Sequence, residues 1–326
     1  MKAIQCIAYG EPKDLVLAEI DEPFVQAGEV IVAVDAAGLG FVDALHVRGG
    51  YQVKKPLPFT PGSEIAGTVT AVGEGVSPAL LGKRVMALSP RGGLAQMLAI
   101  PFSSCIALPD HFTAEAAASA PLNYCTGIYG LENCGALQPG ETVLVLGASG
   151  GVGMAALDIA KGLGAKVVAA ASSQNKLAAC AARGADVTID YSRPDWRKEL
   201  NRMLGDSAVN VIYDPVGGDW SETAFRCLSP GGRHLVVGFV GGDIPRLPLN
   251  LPLLKRSSIV GVDWGGNARA NPAAVRPILQ RIIDLFLQGK INPQPSATYH
   301  LEEAPQVLER ILRRENIGKP VIMMPM

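Results

Sequence analysis

The fold follows from one run of residues, VLVLGASGGVG at positions 143–153. Thr142–Leu146, whose last four residues are apolar, is predicted to be a buried strand, and GVGMAALDIAKGLG after it predicts a helix. Gly150 lets the backbone approach a pyrophosphate, and Gly153 lets the helix pack closely on the strand, although Ala148 stands where the usual motif has its first glycine. The amides that begin the helix face bound phosphate. A strand, a glycine turn and a helix in this order favour dinucleotide binding over a bare tight turn.

Strand-like and helix-like runs alternate beyond this turn. The predicted strands are KVVAAAS, DVTIDY, NVIYDPV, RHLVVGFV and SIVGVDW, and the predicted helices are NKLAACAARG, DWRKELNRML and SETAFRCL. Apolar strands alternating with helices are typical of a parallel sheet covered on both faces. The sequence therefore predicts an α/β fold with a doubly wound parallel sheet of the Rossmann type.

The residues at the end of the second predicted strand distinguish binding of NAD from binding of NADPH. A carboxylate about 20 residues beyond the glycine turn binds the ribose hydroxyls of NAD. Here Ser172 and Ser173 occupy that place and Lys176 follows. Hydroxyls and a cation suit the 2′-phosphate of NADPH, which a carboxylate would repel. The alternative is that Lys176 only solvates the start of a helix.

The first hundred residues have a different pattern. EVIVAVDAAGL, EIAGTVTAVGEGV and KRVMALSP predict strands bounded by turns, hence a β-rich unit. TAEAAASAP predicts a helix with Thr113 as its N-cap. Near the C-terminus, PAAVRPILQRIIDLFLQG and PQVLERILRRENIG have helical periodicity, with Val307, Leu308, Ile311 and Leu312 on one side of the second helix.

Composition excludes several classes of partner. The 326 residues are 48% hydrophobic and 18% charged with a net charge of −1, so no basic field for nucleic acid exists. No apolar run approaches the roughly 20 residues of a membrane helix, and the first residues do not resemble a secretory signal. The six cysteines include no CxxC pair. Their use predicts a reducing compartment, and we expect a cytoplasmic protein.

Several motifs together resemble the zinc-independent quinone oxidoreductases of the medium-chain dehydrogenase/reductase family. They are VRGGY (47–51), PGSEIAGTVTAVGEGV (61–76), PLNYCTGIYGL (121–131), GASGGVG (147–153), YDPVGGD (213–219), VVGFVGGDIPRLPLN (236–250) and GVDWG (261–265). The resemblance covers essentially the whole chain. It implies a β-rich GroES-like catalytic domain (1–115 and 266–326), a Rossmann domain (116–265), substrate in the cleft, and a homodimer often joined through the edges of the two nucleotide-domain sheets.

Zinc-dependent alcohol dehydrogenases are the relatives to exclude. Their catalytic metal needs a cysteine where this chain has Gly40 and a histidine where it has Ser63, before Glu64. The lobe of four clustered cysteines is also missing. A catalytic zinc requires three protein ligands, so no metal site is expected, and Asp43 and His46 are too isolated to form one. Glu64 is expected to be a hydrogen-bonded core acid.

Tyr51, in VRGGY, is the candidate catalytic residue. The resemblance places its hydroxyl near the substrate, where it would donate a hydrogen bond or act as a general acid. The alternative is an aromatic lid over the nicotinamide, because a phenol is a weak acid. Two polar residues of quinone oxidoreductases are replaced by Gly40 and Leu45, which weakens an assignment to simple quinones.

Three further side chains are candidates for contact with the substrate: Phe41, Asn123 and Trp264. Trp264 either lines the cleft or packs at the dimer edge. Thr126 matches a family residue close to the nicotinamide. For Asn123, Tyr124 and Thr126 the alternative is packing or capping within a helix.

The remaining cofactor candidates follow the predicted strands. They are Ser149, Gly150, Gly151 and Val152 in the glycine turn, Tyr191 after DVTID, Gly217 in DPVGGD, and Gly238, Phe239 and Val240 after the fifth strand. Open α/β sheets keep their crevice at these strand ends. Lys319 could reach the same region by family analogy, although solvation at the surface is expected for it.

The sequence thus predicts an NADPH-dependent, metal-free reductase of quinones or α,β-unsaturated carbonyls. The alternatives are an enoyl thioester reductase, for which a basic patch would be expected, and a nucleotide-binding scaffold or sensor with little turnover.

Overall fold

The computed structural model describes residues 1–205 and 209–325, which form two compact units. Unit 1 contains Met1–Leu122, Ala268–Ile283 and the chain from Pro293 onward. Unit 2 contains Asn123–Asn267 and Asp284–Asn292. The C-terminal segment therefore returns to the unit that the N-terminal residues begin. The exact limits of independently folding domains, expected at 115/116 and 265/266, stay a prediction.

Unit 1 is built on antiparallel strands with a buried apolar face. Its strands are β1 (Lys2–Gln5), β2 (Val16–Glu19), β3 (Glu29–Gly38), β4 (Glu64–Val72), β5 (Arg84–Leu88), β6 (Met97–Pro101), β7 (Cys105–Ala107), β14 (Ala297–His300) and β15 (Pro320–Met323). The main sheet has the order β14-β15-β3-β4-β5-β7, with β6 paired to β3, while β1 and β2 form a separate pair. Only β14 and β15 pair in parallel among these described strands. This is the predicted β-rich domain.

Unit 2 is a parallel sheet with helices along its connections. Its strands are β8 (Thr142–Leu146), β9 (Lys166–Ala171), β10 (Val187–Asp190), β11 (Val209–Asp214), β12 (Leu228–Val236) and β13 (Ser258–Gly261). They are parallel and have the order β10-β9-β8-β11-β12-β13. Every residue of β8 is buried, as expected of a strand covered on both faces. The predicted doubly wound α/β fold is confirmed.

The predicted helices are present, although the last of them ends at Leu312, before the predicted segment does. The α-helices are α1 (Phe41–Val47), α2 (Ala114–Ala118), α3 (Pro121–Ile128), α4 (Gly151–Gly162), α5 (Gln174–Ala182), α6 (Trp196–Leu204), α7 (Asp219–Phe225), α8 (Asn250–Lys255), α9 (Trp264–Ala270), α10 (Val275–Leu287) and α11 (Ala304–Leu312). Of these, α1, α3, α8 and α9 were not predicted. The hydroxyl of Thr113 accepts a hydrogen bond from the amide of Ala116, at 3.3 Å, which confirms the predicted N-cap of α2. The apolar side of α11 is buried, as predicted.

Two further parts of the structure differ from what the sequence pattern predicts. The strand predicted for SIVGVDW ends at Gly261, because Asp263 caps the following helix by accepting a hydrogen bond from the amide of Gly266, at 2.7 Å. Residues 284–292 belong to unit 2, where the amide of Asn292 donates to Asp158, at 2.9 Å. Among residues 1–205 and 209–325 we find no helix with the length and apolar character that crossing a bilayer requires.

Candidate functional site

The glycine turn of unit 2 leaves an open backbone surface at the start of α4. A Cβ on Gly153 would lie 2.4 Å from the carbonyl oxygen of Gly147, so only glycine allows the helix to approach the strand this closely. A Cβ on Gly150 would meet the same oxygen at 3.5 Å, an ordinary contact. The space beside Gly150 is therefore left free by the fold itself. Ser149 before it is buried, whereas Gly151 and Val152 are half-buried in the first helical turn.

All predicted cofactor residues outside α3 lie at one edge of the parallel sheet. Their positions follow from the strands they succeed: Ser149–Val152 after β8, Ser172 and Ser173 after β9, Tyr191 after β10, Gly217 after β11, and Gly238–Val240 after β12. The strands run in the same direction, so their carboxyl ends meet at the same side. The strand order reverses between β8 and β11, which is where open α/β sheets form a crevice.

The end of β9 presents hydroxyl groups and a cation. Ser172 and Ser173 are exposed, and Lys176 is half-buried in the first turn of α5. Ser173 is the N-cap of α5, yet its hydroxyl makes no capping hydrogen bond within the described chain. Those hydroxyls can therefore bind a ligand without uncapping the helix.

Tyr191 is held at the end of β10 by its neighbours. Its amide donates to the carbonyl of Ala171, at 3.2 Å. Its ring packs against Trp220 with 5.4 Å between the ring centroids. The pair offers an aromatic surface at the same sheet edge as the glycine turn.

Asp214 organises the turn that contains Gly217. One carboxylate oxygen accepts the amides of Val216 and Gly217, both at 2.9 Å. The other accepts the Ser221 hydroxyl at 2.5 Å and lies 2.9 Å from Nε2 of His234. Burial raises the pKa of Asp214, but the hydrogen bonds from His234, Ser221 and Gly217 outweigh it and hold the pKa below its ordinary value. Asp214 is therefore a buried carboxylate with several donors directed at it.

This turn is joined to the loop after β12. The amide of Val240 donates to the carbonyl of Pro215 at 3.1 Å, and the amide of Gly241 donates to Val216 at 2.7 Å. A Cβ on Gly217 would lie 2.8 Å from the ring of Phe239, which is 40% exposed. Sequence reasoning missed Asp214, Ser221 and His234. The signal for Asp214 was a carboxylate at the end of a buried strand, whereas nothing local indicated the other two.

The α3 helix and Trp264 contribute buried groups to unit 2. Asn123 and Trp264 are 4% and 3% exposed, and Trp264 packs against Tyr129 with 5.6 Å between ring centroids. Thr126 is half-buried. The Tyr124 hydroxyl donates to Asp158 at 2.6 Å and accepts from Arg183 at 3.0 Å. Tyr124 thus has the packing role that the sequence left open.

In unit 1, Tyr51 lies in the loop after α1 and packs against His46. The two rings meet edge to face with 4.6 Å between their centroids. Phe41 begins α1 and packs partly buried against the core of this unit. Burial lowers the pKa of His46 to about 4, assisted by the positive charges of Lys55 and Arg269. His46 is therefore neutral at pH 7.

Glu64 and Lys319 form a buried ion pair in unit 1, so the expected surface position of Lys319 was wrong. The side chains are 0% and 5% exposed, and the ammonium contacts Oε1 of Glu64. The other carboxylate oxygen accepts the amide of Leu122, at 2.8 Å. Burial raises the pKa of Glu64, and Lys319 and the Leu122 amide oppose that rise. Glu64 is the hydrogen-bonded core acid that the sequence predicted.

The donor groups near Glu64 do not suit a zinc ion. Gly40 has no side-chain donor atom, and the Ser63 hydroxyl donates to Asp43, at 2.6 Å. The second oxygen of Asp43 accepts the amide of Gly40, at 2.8 Å. Across residues 1–205 and 209–325, no three His, Cys, Asp or Glu side chains are grouped to hold a metal.

Comparison with known proteins agrees with this architecture. Residues 26–110 match the alcohol dehydrogenase GroES-like domain, and residues 151–282 match the zinc-binding dehydrogenase family. Quinone oxidoreductase-like protein 2 of Bos taurus is 36% identical over 98% of this chain and 92% of its own. The structure of Escherichia coli quinone oxidoreductase complexed with NADPH has a TM-score of 0.89 and 26% identity, covering 99% of this chain and 100% of that one. The CurK enoyl reductase has a TM-score of 0.89 and 26% identity, covering 99% of each chain.

Proposed function

Because the chain belongs to the medium-chain dehydrogenase/reductase family of oxidoreductases, we propose that it uses NADPH, without zinc, to reduce a quinone or an α,β-unsaturated carbonyl. One observation carries the proposal. The loops after β8, β9, β10, β11 and β12 lie at one sheet edge, around a glycine turn whose backbone is open at Gly150. Such an edge fits the pyrophosphate, the ribose and the nicotinamide of one extended dinucleotide.

The choice of NADPH is supported by the residues after β9. Ser172 and Ser173 present exposed hydroxyls, and Lys176 follows in the first turn of α5. A 2′-phosphate accepts hydrogen bonds from hydroxyls and is attracted by an ammonium group. The E. coli relative was crystallised with NADPH, which supports the same choice here.

The absence of zinc chemistry is supported by the donor set. Gly40 supplies no ligand atom. The Ser63 hydroxyl donates a hydrogen bond to Asp43, and Glu64 forms an ion pair with Lys319. A catalytic zinc needs three protein ligands and an open position. We therefore propose that this member of the family does not ionise alcohols through a metal, despite its match to a zinc-binding dehydrogenase family.

We assign the following roles in cofactor binding and hydride transfer to the individual residues. When bound, the reduced nicotinamide supplies the hydride. The turn at Gly217 and the backbone at Gly238–Val240 would orient the carboxamide. Asn123, Phe41 and Trp264 would contact the acceptor, and Thr126 would lie near the nicotinamide. Tyr51 would donate a hydrogen bond to the carbonyl oxygen, where negative charge develops.

An enoyl thioester reductase is the second candidate, favoured by the likeness to the CurK enoyl reductase. Both candidate reactions transfer a hydride from the cofactor to the substrate. An enoyl thioester differs from a quinone or a simple enone because its carrier contains phosphates. A scaffold that binds the nucleotide without turnover is a third outcome of the same experiment.

The experiment is a titration of NADPH and NADH, followed by NADPH oxidation with quinones, enones and enoyl thioesters. Lys176→Ala should weaken NADPH about tenfold or more and NADH much less, because a hydrogen bond to a charged group is lost. Lys198→Ala, at an exposed lysine on α6, is the matched control and should change neither affinity. Equal losses of both cofactors in Lys176→Ala would contradict a phosphate contact, and tight binding without turnover would favour the scaffold.

We also propose that the protein is a homodimer. β13 is an edge strand, and several nearby apolar side chains are strongly exposed: Ile244 (72%), Leu249 (78%), Leu253 (75%), Leu254 (75%) and Ile259 (46%). Exposed apolar patches beside an unpaired strand edge favour association with another chain. Sedimentation equilibrium checks the state, and Leu253→Asp with Leu254→Asp should yield monomers.

A further inference from the structure

The loop that carries Tyr51 also contains two lysines, Lys54 and Lys55. Lys55 lies half-buried in this loop, with its ammonium 5.6 Å from the centroid of the Phe59 ring. Lys54 lies over the ring of Tyr9, at 5.7 Å. Both Lys55 and Arg269 act electrostatically on His46, whose ring contacts Tyr51. All of these residues belong to unit 1.

Asp43 offsets only part of the positive charge of this cluster, since it opposes the lowering of the pKa of His46 and of Lys55 without outweighing it. Asp43 is 1% exposed, and its two oxygens accept the Ser63 hydroxyl and the Gly40 amide. Within the described residues, no carboxylate lies within 4.0 Å of the Lys55 ammonium or the Arg269 guanidinium, so neither makes an ion pair there. Burial lowers the pKa of Lys55, and Asp43 only opposes this effect. The ammonium is thus partly desolvated without an anionic partner.

His46 is affected by burial and by these positive charges together. Its pKa falls to about 4 through burial and through the charges of Lys55 and Arg269, although Asp43 acts in the other direction. Burial, with the help of the two cations, therefore disfavours a proton on His46 beside Tyr51. The Nδ1 atom of His46 is buried, and no atom in the described part of the chain accepts or donates a hydrogen bond there. A bound anion would stabilise the positive charges of Lys55 and Arg269 and would raise the pKa of His46.

We infer that the acceptor reduced by this protein carries an anionic group, a carboxylate or a phosphate, which Lys55 binds while the reacting carbonyl lies against Tyr51. This inference rests on the proposed function and names its substrate class. The anion is not consumed: hydride adds to the β-carbon, a proton adds to the α-carbon, and the charged group only anchors the molecule. A partly desolvated ammonium attracts such a group more strongly than an exposed one. Arg269, which is exposed, adds long-range attraction.

Matched acceptors test the inference. 4-Oxohex-5-enoate carries its carboxylate on a saturated arm, and its methyl ester has the same enone without the charge. We expect kcat/KM to favour the acid by about tenfold or more, as for one charge-assisted hydrogen bond, and Lys55→Met to reduce the ratio to about one. Methionine keeps an unbranched side chain at this position and removes the ammonium. Lys83→Met, at an exposed lysine of the same unit, should leave the ratio unchanged.

Two sources of the anion are separated by a second pair of acceptors. Crotonyl-CoA carries the phosphates of the thioester carrier, and crotonyl-pantetheine does not. A preference for crotonyl-CoA that depends on Lys55, without a preference for the carboxylated enone, identifies phosphate. The reverse result identifies a carboxylate. No preference in either pair overturns the inference.

A measurement without turnover keeps the inference separate from the proposed function. Levulinate, the saturated keto acid, should raise the pKa of His46 in an NMR titration, and methyl levulinate should not. Lys55→Met should raise the same pKa without ligand. If neutral enones are reduced but His46 does not respond to levulinate, the inference is wrong and the proposed function stands. If no acceptor is reduced, the proposed function is wrong, and the response of His46 still decides whether an anion binds beside Tyr51.

Discussion

Nε2 of His234 lies 2.9 Å from Oδ2 of Asp214, and both side chains are 3% exposed. Asp214 ends β11, and the same carboxylate accepts the amides of Val216 and Gly217. A pair buried between β11 and β12 therefore shapes the turn to which we assign the nicotinamide end of the cofactor. Neither residue was a candidate from the sequence.

Asp214→Asn should lower the free energy of unfolding by about 3 kcal/mol at pH 7, because a buried carboxylate with a charged or strongly polar partner is lost. The pKa of Asp214 is held below its ordinary value of 3.8. A lowered pKa means that the stabilisation is complete above that value and is lost as the pH falls through the folded pKa. Urea unfolding from pH 7 down to pH 3 should show the difference from wild type shrinking below about pH 4. Asp243→Asn, at an exposed position, is the control; a difference independent of pH would refute the assignment.

Lys319→Met should lower the free energy of unfolding by about 4 kcal/mol, because it leaves the carboxylate of Glu64 buried without its cation. The pKa of Glu64, already raised by burial above 4.5, should rise further. A raised carboxyl pKa costs stability as the pH increases through it, so the deficit should be larger at pH 7 than at pH 5. The double variant Glu64→Leu/Lys319→Met should recover most of the loss. Additive losses in the denaturation cycle would show that the two side chains do not interact.

Substitutions at two glycines of the turn should distinguish an effect on stability from an effect on cofactor affinity. Gly153→Ala places a Cβ 2.4 Å from the Gly147 carbonyl oxygen, and we expect a loss of about 1–3 kcal/mol in stability. Gly150→Ala meets only an ordinary 3.5 Å contact, so its stability should match wild type while its affinity for NADPH falls, since the methyl group fills the space for the pyrophosphate. Calorimetry and fluorescence titration measure both. Unchanged NADPH affinity in Gly150→Ala would place the phosphates elsewhere.

Tyr51→Phe keeps the ring against His46 and removes the hydroxyl. If the hydroxyl stabilises the negative charge on the carbonyl oxygen through a hydrogen bond, its removal should lower kcat about a hundredfold. The Kd for NADPH should change little. Tyr51→Ala serves as the comparison, since it also removes the ring. Full activity in Tyr51→Phe and a loss only in Tyr51→Ala would instead support the aromatic lid.

Much of the candidate cofactor site could be predicted because its information is local. A buried strand followed by a glycine turn and a helix is visible in 143–153, and parallel strands necessarily bring their carboxyl ends to one edge. The residues after β8, β9, β10, β11 and β12 therefore follow strands that the sequence pattern predicts. Their individual roles stay predictions.

The amino-acid sequence by itself determined the two architectures, since hydrophobic periodicity and turn residues act within a few positions of each other. Only the tertiary structure decided which polar groups are buried together. Lys319 has the local pattern of a solvated lysine, and it becomes buried because β15 pairs with β3 and brings it to Glu64. His234 meets Asp214 because β12 pairs with β11. Contacts between distant segments leave no periodic trace in the chain, and the cost of burying a charge is met by a partner that only folding supplies.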